Sequence, residues 1–356
     1  MNSMTEHDRN TQTLRRLVLT SLLLAIVVIG LGAYTRLTHA GLGCPDWPTC
    51  YGLIDVPQTS AQISAAEQAF PDRPVEPAKA WNEMIHRYFA GSLGLLIAVI
   101  ALFSIKLRFF KKSSIRYPLF LPISILIIVI FQAALGMWTV TLKLMPVIVM
   151  AHLLGGFTTL CLLFLLYLRV KARSVNARGA NLVDSQLKKY SSYALLGVII
   201  LTAQIALGGW TSSNYAAMSC VELPICQGDW LNDLNFEQSF NLIPPNKESY
   251  EFGHLAHNER VTIHVTHRLG AIITGVFLAW LAIMVFIKSR LHTIKSSAVI
   301  LLGVLVIQIC LGMSNIWFSL PLKVAVAHNL VAAGLMLSLI TLAYKLRKNS
   351  EESFYE

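Results

Sequence analysis

At 356 residues, 55% hydrophobic and only 13% charged, with a mean hydropathy of +0.58, the chain lacks the polar surface that a water-soluble domain of its size needs. The net charge of +10 invites a nucleic-acid partner, but the basic residues collect in the gaps between apolar runs, which argues against one. The composition predicts an all-α membrane protein embedded in lipid.

Eight apolar runs reach the roughly 20 residues that a bilayer core requires. They are 17–34, 81–105, 117–140, 146–168, 190–210, 261–287, 298–317 and 321–344. The first has Arg15 and Arg16 before it and a weak Thr38-x-Ala40 site after it, as a signal peptide would. Its length, and an exit sequence that recurs inside the chain, favour a retained helix. Basic residues then follow alternate runs: Lys106, Arg108, Lys111, Lys112 and Arg116; Arg169, Lys171, Arg173, Arg178, Lys188 and Lys189; Lys288, Arg290 and Lys295; Lys345, Arg347 and Lys348. This is the positive-inside pattern of a multi-pass protein of the cytoplasmic (inner) membrane with both termini in the cytoplasm. The two long loops, after runs one and five, are thereby predicted to lie outside.

Those loops carry Cys44-x5-Cys50 and Cys220-x5-Cys226. Disulfides persist on an oxidising face, whereas thiolate zinc sites favour tighter spacing and more ligands. One disulfide per loop, Cys44–Cys50 and Cys220–Cys226, is predicted, with a redox-active pair as the sharper alternative to a structural one. Cys161 and Cys310 fall inside runs and read as small packing residues. The first loop continues through Pro57, Pro71, Pro74 and Pro77 with room for one short helix over 60–70, and the second is similarly polar; both read as caps on the outer ends of the spans.

The chain repeats. Run one leaves through Gly32-Ala33-Tyr34-Thr35, then Cys44, Pro48, Cys50 and Gly52; 176 positions later run five leaves through Gly208-Gly209-Trp210-Thr211, then Cys220, Pro224, Cys226 and Gly228. Four spans separate equivalent positions, so both copies have the same orientation, a parallel repeat about an axis along the membrane normal. The predicted architecture is two pseudo-twofold-related four-helix bundles, 1–172 and 185–349, with a cytoplasmic tail at 350–356. Runs three, five and seven share a further echo, Gln132-x-x-Leu135-Gly136, Gln204-x-x-Leu207-Gly208 and Gln308-x-x-Leu311-Gly312. A mid-span glutamine is costly unless hydrogen-bonded, and the glycine permits close approach; helix packing and cofactor lining both account for it.

Four of the ten histidines stand out. Runs two, four, six and eight all cross from outside inward, and His86, His152, His267 and His328 stand five, six, six and seven residues after Trp81, Pro146, Val261 and Pro321. At about 1.5 Å per residue each lies roughly 8 to 10 Å below its helix start. A lone buried histidine is usually a packing residue. Two facing imidazoles at matched depth, doubled by the repeat, instead suit axial ligation of iron in two haem sites, and zinc or copper would more often show further Cys or carboxylate ligands. Arg87 and Arg268, next to the ligands, could meet haem propionates or serve packing. Glu83 precedes His86 by three residues where the other copy has His264 before His267. A carboxylate there could relay protons or stabilise a cationic intermediate, or merely complement the helix dipole. The asymmetry predicts one reactive site and one electron-transfer or structural site.

These residues resemble the haem A synthase family: Glu83-x-x-His86-Arg87, His267-Arg268, His152, His328, and the exit Thr35-Arg36-Leu37-Thr38-x-Ala40-Gly41-Leu42-x-Cys44-Pro45-Asp46-Trp47-Pro48. The match covers all eight spans. The resemblance implies oxidation of the C8 methyl of haem O to a formyl group, giving haem A for terminal oxidases. It implies haem O as substrate at His86 and His152, haem b as cofactor at His267 and His328, Glu83 in catalysis and a functionally important Cys44–Cys50 disulfide. It also brings in a haem O synthase (prenyltransferase), an electron donor and a homo-oligomer as candidate partners. The rival readings are a dihaem cytochrome passing electrons between quinol and extracytoplasmic thiols, and a non-catalytic haem carrier.

Overall fold

The computed structural model describes residues 6–109, 118–174, 187–222, 226, 230–232 and 234–352. Lys111, Lys112, Arg116, Arg178, Pro224 and Gly228, and the end of the expected tail at 353–356, lie outside the described residues. Among the described residues ten helices run in the order α1 Glu6–Leu37, α2 Ser60–Ala69, α3 Pro77–Phe109, α4 Phe120–Thr141, α5 Pro146–Ser174, α6 Lys188–Ser213, α7 Phe236–Ser239, α8 His257–Lys288, α9 His292–Trp317 and α10 Leu322–Glu352. Among the described residues the only bridge outside the helices is an isolated antiparallel one between Cys50 and Leu53.

The eight predicted runs correspond to α1, α3, α4, α5, α6, α8, α9 and α10, all long and apolar enough to cross a membrane. Their outer faces are apolar too: Leu95 is 72% exposed, Ile127 62% and Val276 66%. Such surface would be an aggregation hazard in water and belongs in hydrocarbon. Inward faces follow helical spacing, as in Leu14, Val18, Leu22 and Ala25 of α1, all buried. Threonines inside spans satisfy their hydroxyls on the preceding turn, Thr35 on Leu31 and Thr202 on Val198.

The chain forms two compact units, Met1–Leu144 with Ala151–Arg178, and Met145–Met150 with Gly179–Glu356. In the first, α3 packs against both α1 and α4. In the second, α6 packs on α8, α8 on α9, α9 on α10 and α10 back on α6, which closes a four-helix ring. The segment expected to begin a tail at 350 is still part of α10, which ends at Glu352.

The sequence repeat is matched by repeated local geometry. After α1, His39 takes a left-handed conformation (φ 53°) and the Ala40 N–H donates to Thr35 O at 2.9 Å; after α6, Tyr215 (φ 54°) and Ala216 N–H to Thr211 O, also 2.9 Å, do the same 176 residues on. Both are six-to-one C-caps. The ends of α4 and α9 agree likewise, through Leu144 N–H to Thr139 O at 2.8 Å and Leu320 N–H to Asn315 O at 2.7 Å.

Two spans begin earlier than the apolar pattern indicates. α3 starts at Pro77, a residue suited to the first helical position because it has no N–H to satisfy. α8 starts at His257, where the Glu259 carboxylate accepts the Ala256 N–H at 2.7 Å. The expected helix starts are thereby corrected: the histidines follow them by 9, 6, 10 and 6 residues instead of five to seven, because polar first turns extend α3 and α8 beyond their apolar cores.

The predicted short helix is present as α2, opened by a capping box in which Thr59 and Gln62 serve each other's backbone N–H groups. Around it the first long loop is folded: Cys44, Cys50, Tyr51, Val56, Ala66, Ala80 and Met84 form a buried cluster flanked by Phe70, Val75 and Trp81.

Candidate functional site

Each of the four histidines sits against a glycine of the preceding long helix. A Cβ built on Gly32 of α1 would stand 3.0 Å from His86 Cε1, on Gly136 of α4 3.3 Å from His152 Cε1, on Gly208 of α6 3.2 Å from His267 Cε1 and on Gly312 of α9 3.3 Å from His328 Cε1. Any side chain there would push the ring, so the glycines are what allow the imidazoles to be seated so close to the neighbouring backbone. Three of these are the glycines of the glutamine echo, and the glutamines reach the same histidines. Gln132 Nε2 donates to His152 O at 2.5 Å, Gln204 Nε2 to His267 O at 3.0 Å, and Gln308 Nε2 stands 3.3 Å from either ring nitrogen of His328.

In the first unit the rings of His86 and His152 meet with centroids 6.5 Å apart and planes at 82°. Metal–imidazole bonds of about 2.0–2.1 Å put the ring centroids of two ligands on one ion about 6 Å apart. The observed spacing fits an ion between them. The Nδ1 atoms of His86 and His152 are buried without a hydrogen-bond partner, which also fits side chains built for a ligand rather than for packing. In the second unit His267 and His328 lie within electrostatic reach of each other, as His152 and His86 do. Among the described residues no three His, Cys, Asp or Glu side chains come together to hold a bare metal ion. Two donors per unit leave the equatorial plane to a macrocycle, so the residues present fit haem.

Glu83 lies one turn before His86, 4% exposed. Its carboxylate is turned to the first cysteine loop: Oε2 accepts the Cys44 N–H at 2.9 Å and Oε1 accepts from Arg87 Nη2 at 2.5 Å. Arg87 also donates through Nη1 to Thr49 O at 2.7 Å and Pro48 O at 3.2 Å. Asp46 locks the same loop, accepting from Tyr51 N at 2.6 Å, Gly52 N at 2.8 Å and Thr49 Oγ1 at 2.5 Å. Burial raises the Tyr51 phenol above its ordinary value, so it stays a neutral donor, here to Pro74 O at 3.1 Å.

The second unit varies this arrangement. His264 replaces Glu83 and accepts from Arg268 Nε at 3.3 Å, while Arg268 donates to Glu222 O at 2.7 Å and to Cys220 O. Both expected disulfides, Cys44–Cys50 and Cys220–Cys226, are formed. Sequence reasoning missed that Arg87 and Arg268 anchor these loops, and that a loop N–H serves Glu83. The 176-residue shift paired Gly32 with Gly208, but the sequence did not show that either glycine seats a histidine.

Fold and side chains together define a polytopic helical membrane protein with a pair of half-buried histidines in each of two units. Over residues 15–340 the chain matches the model of the family described as Cytochrome oxidase assembly protein, and it belongs to that family. It is 46% identical over 333 residues to a protein of Shewanella oneidensis named Heme A synthase, covering 94% of this chain and 96% of that one. Proteins of the same name from Brucella anthropi and Mesorhizobium japonicum are 23% and 27% identical, covering 92% and 90% of this chain and 90% and 87% of theirs.

Proposed function

We propose that the protein is a haem A synthase, oxidising the C8 methyl of haem O to a formyl group and so supplying haem A to terminal oxidases. The observation that carries this reading is the His86–His152 pair, 6.5 Å apart with a buried carboxylate one turn away, in a chain 46% identical to a named Heme A synthase along nearly its whole length. Neither rival reading, dihaem cytochrome or haem carrier, is favoured by a relative's name or by the geometry.

His86 and His152 are assigned to the iron of the substrate haem O, and His267 and His328 to a resident haem b. Bound haem b supplies one-electron chemistry to the second unit. Around the substrate, this chain's residues position and protonate. The glycines seat the imidazoles, and lipid-facing apolar helices exclude water from the pair. Arg87 and the Cys44 N–H hold the Glu83 carboxylate buried one turn before His86, where its Oε1 or Oε2 accepts protons released as the methyl group is oxidised. Arg87 and Arg268 are loop anchors in this scheme, since contact with propionates would require their donors to leave the loop carbonyls.

The orientation follows from the basic gaps and the two disulfides: cysteine loops outside the cytoplasmic membrane, termini within. A haem O synthase, an electron donor and further copies of the chain are the partners such an enzyme would engage. Disrupting the gene in a host that makes haem A tests the reading through extracted pigments. Haem O in place of haem A is the expected result, and undiminished haem A in a host with no second synthase would overturn it.

A further inference from the structure

Haem carries two carboxylates, and no residue placed so far meets them. Arg268 spends its donors on His264, Cys220 O and Glu222 O, so a cation for the haem of the second unit has to come from elsewhere. Where it must lie follows from the ligands. His267 is 10 residues from the start of α8 and 21 from its end, and His328 is 6 from the start of α10 and 24 from its end. A macrocycle clamped between two such spans stands edge-on along them, and its charged edge is costly in hydrocarbon. The propionates therefore point to the near end, the one that carries the cysteine loops.

Among the described residues the cations of the second unit at that end are Arg260, Arg268, Lys247 and Lys323. Lys247 is exposed in the loop beside His254. Lys323, also exposed, precedes His328 by five residues, which turns it about 140° away from the ligand. Arg260 precedes His267 by seven. At about 100° and 1.5 Å per residue it stands about 10 Å beyond the ligand and within about 20° of the same face. That face looks into the unit: Ile263 and His264, which flank the line between the two, are 0% and 4% exposed, and Ile263 packs on Trp210 and Ala216. Arg260 is half-buried, and its Nε is enclosed without an acceptor. Among the described residues its guanidinium meets no carboxylate.

An enclosed cation without an anion is expensive, and a carboxylate brought in by the cofactor removes that cost while matching the guanidinium fork. The first unit differs at the matching place. Lys79, seven before His86, is already ion-paired with Glu76 at 2.9 Å, and Glu83 sets a carboxylate of the chain's own in the turn between.

We propose that Arg260 binds a propionate of the haem held by His267 and His328, and so fixes which edge of that haem faces the cysteine loops. This rests on the haem reading given above.

The test is release of ferric haem to excess apomyoglobin, read in the Soret band. The protein is the purified full-length chain carrying His86→Ala and His152→Ala, so that the second unit alone is followed. Two porphyrins are compared: protohaem, and its dimethyl ester, which keeps iron and ring but has no free carboxylate. A hydrogen bond between charged groups is worth roughly 10- to 100-fold in binding. Arg260→Gln is expected to speed release of protohaem by that factor and to change release of the ester by less than about twofold. With Arg260 in place the ester should leave faster than protohaem. Arg260→Lys, which keeps the charge and loses the fork, should fall between, and Lys323→Gln should alter neither porphyrin. Protohaem leaving Arg260→Gln at the unaltered rate, both porphyrins accelerated alike, or Lys323→Gln matching Arg260→Gln overturns the inference. Should Arg260→Gln fail to accumulate, ester released no faster than protohaem with Arg260 in place does so. If the background protein holds neither porphyrin while the unaltered chain does, the assignment of a haem to His267 and His328 is what fails, and this inference falls with it.

Discussion

Replacing Arg87 by alanine strips the first cysteine loop of its anchor. Both Cys44 and Cys50 are 0% exposed, so a reductant reaches their disulfide only when the loop opens. Arg87 holds the loop closed through Thr49 O at 2.7 Å and Pro48 O at 3.2 Å. At about 1.5 kcal/mol each, the low end for hydrogen bonds to a charged group, their loss eases opening by about 3 kcal/mol. That is about 100-fold in the open population, at about 1.4 kcal/mol per decade. The longer bond is the weaker, so about tenfold is the smallest effect the geometry allows. The assay is timed reduction under mild phosphine, followed by maleimide-polymer labelling and a gel shift. The Cys220–Cys226 disulfide of the same molecule, held by Arg268, is the internal reference and should not change. Equal acceleration of both disulfides, or of neither, would refute the anchoring argument.

Further outcomes follow from the same contacts. Asp46→Ala removes the acceptor for three donors of the first loop and should speed reduction of Cys44–Cys50 alone in the same gel. Glu83→Ala should retain the second-unit haem b yet lose conversion of haem O, read as the ratio of extracted haem O to haem A; an unchanged ratio would return Glu83 to a capping role. Gly136→Leu, whose Cβ alone would stand 3.3 Å from His152 Cε1, should empty the first unit of haem. Gly312→Leu should empty the second, each change being measured as haem bound per chain.

The eight spans were legible because a bilayer demands long apolar runs, and the candidate ligands because an intramembrane histidine is rare enough to stand out. Helix starts were less legible. Trp81 marks where α3 becomes apolar, but Pro77 and the capping chemistry around Glu259 decide where α3 and α8 begin. The loop partners of Arg87 and Glu83 lie 38 or 39 residues away in sequence, in a loop whose backbone carbonyls and N–H groups carry no residue signature, so pattern alone left the arginine open between a propionate and packing. The glutamine echo was visible as a pattern, while its contact with the histidines needed coordinates, since a mid-span carboxamide serves helix packing equally well.

The most direct measurement is the pigment retained by purified protein when each histidine pair is removed in turn. With His267 and His328 replaced by alanine, the stable haem b spectrum should vanish. With His86 and His152 replaced, that spectrum should persist while haem O is neither bound nor converted. Haem b lost equally from both double variants, or from neither, would contradict the assignment of one iron to each pair.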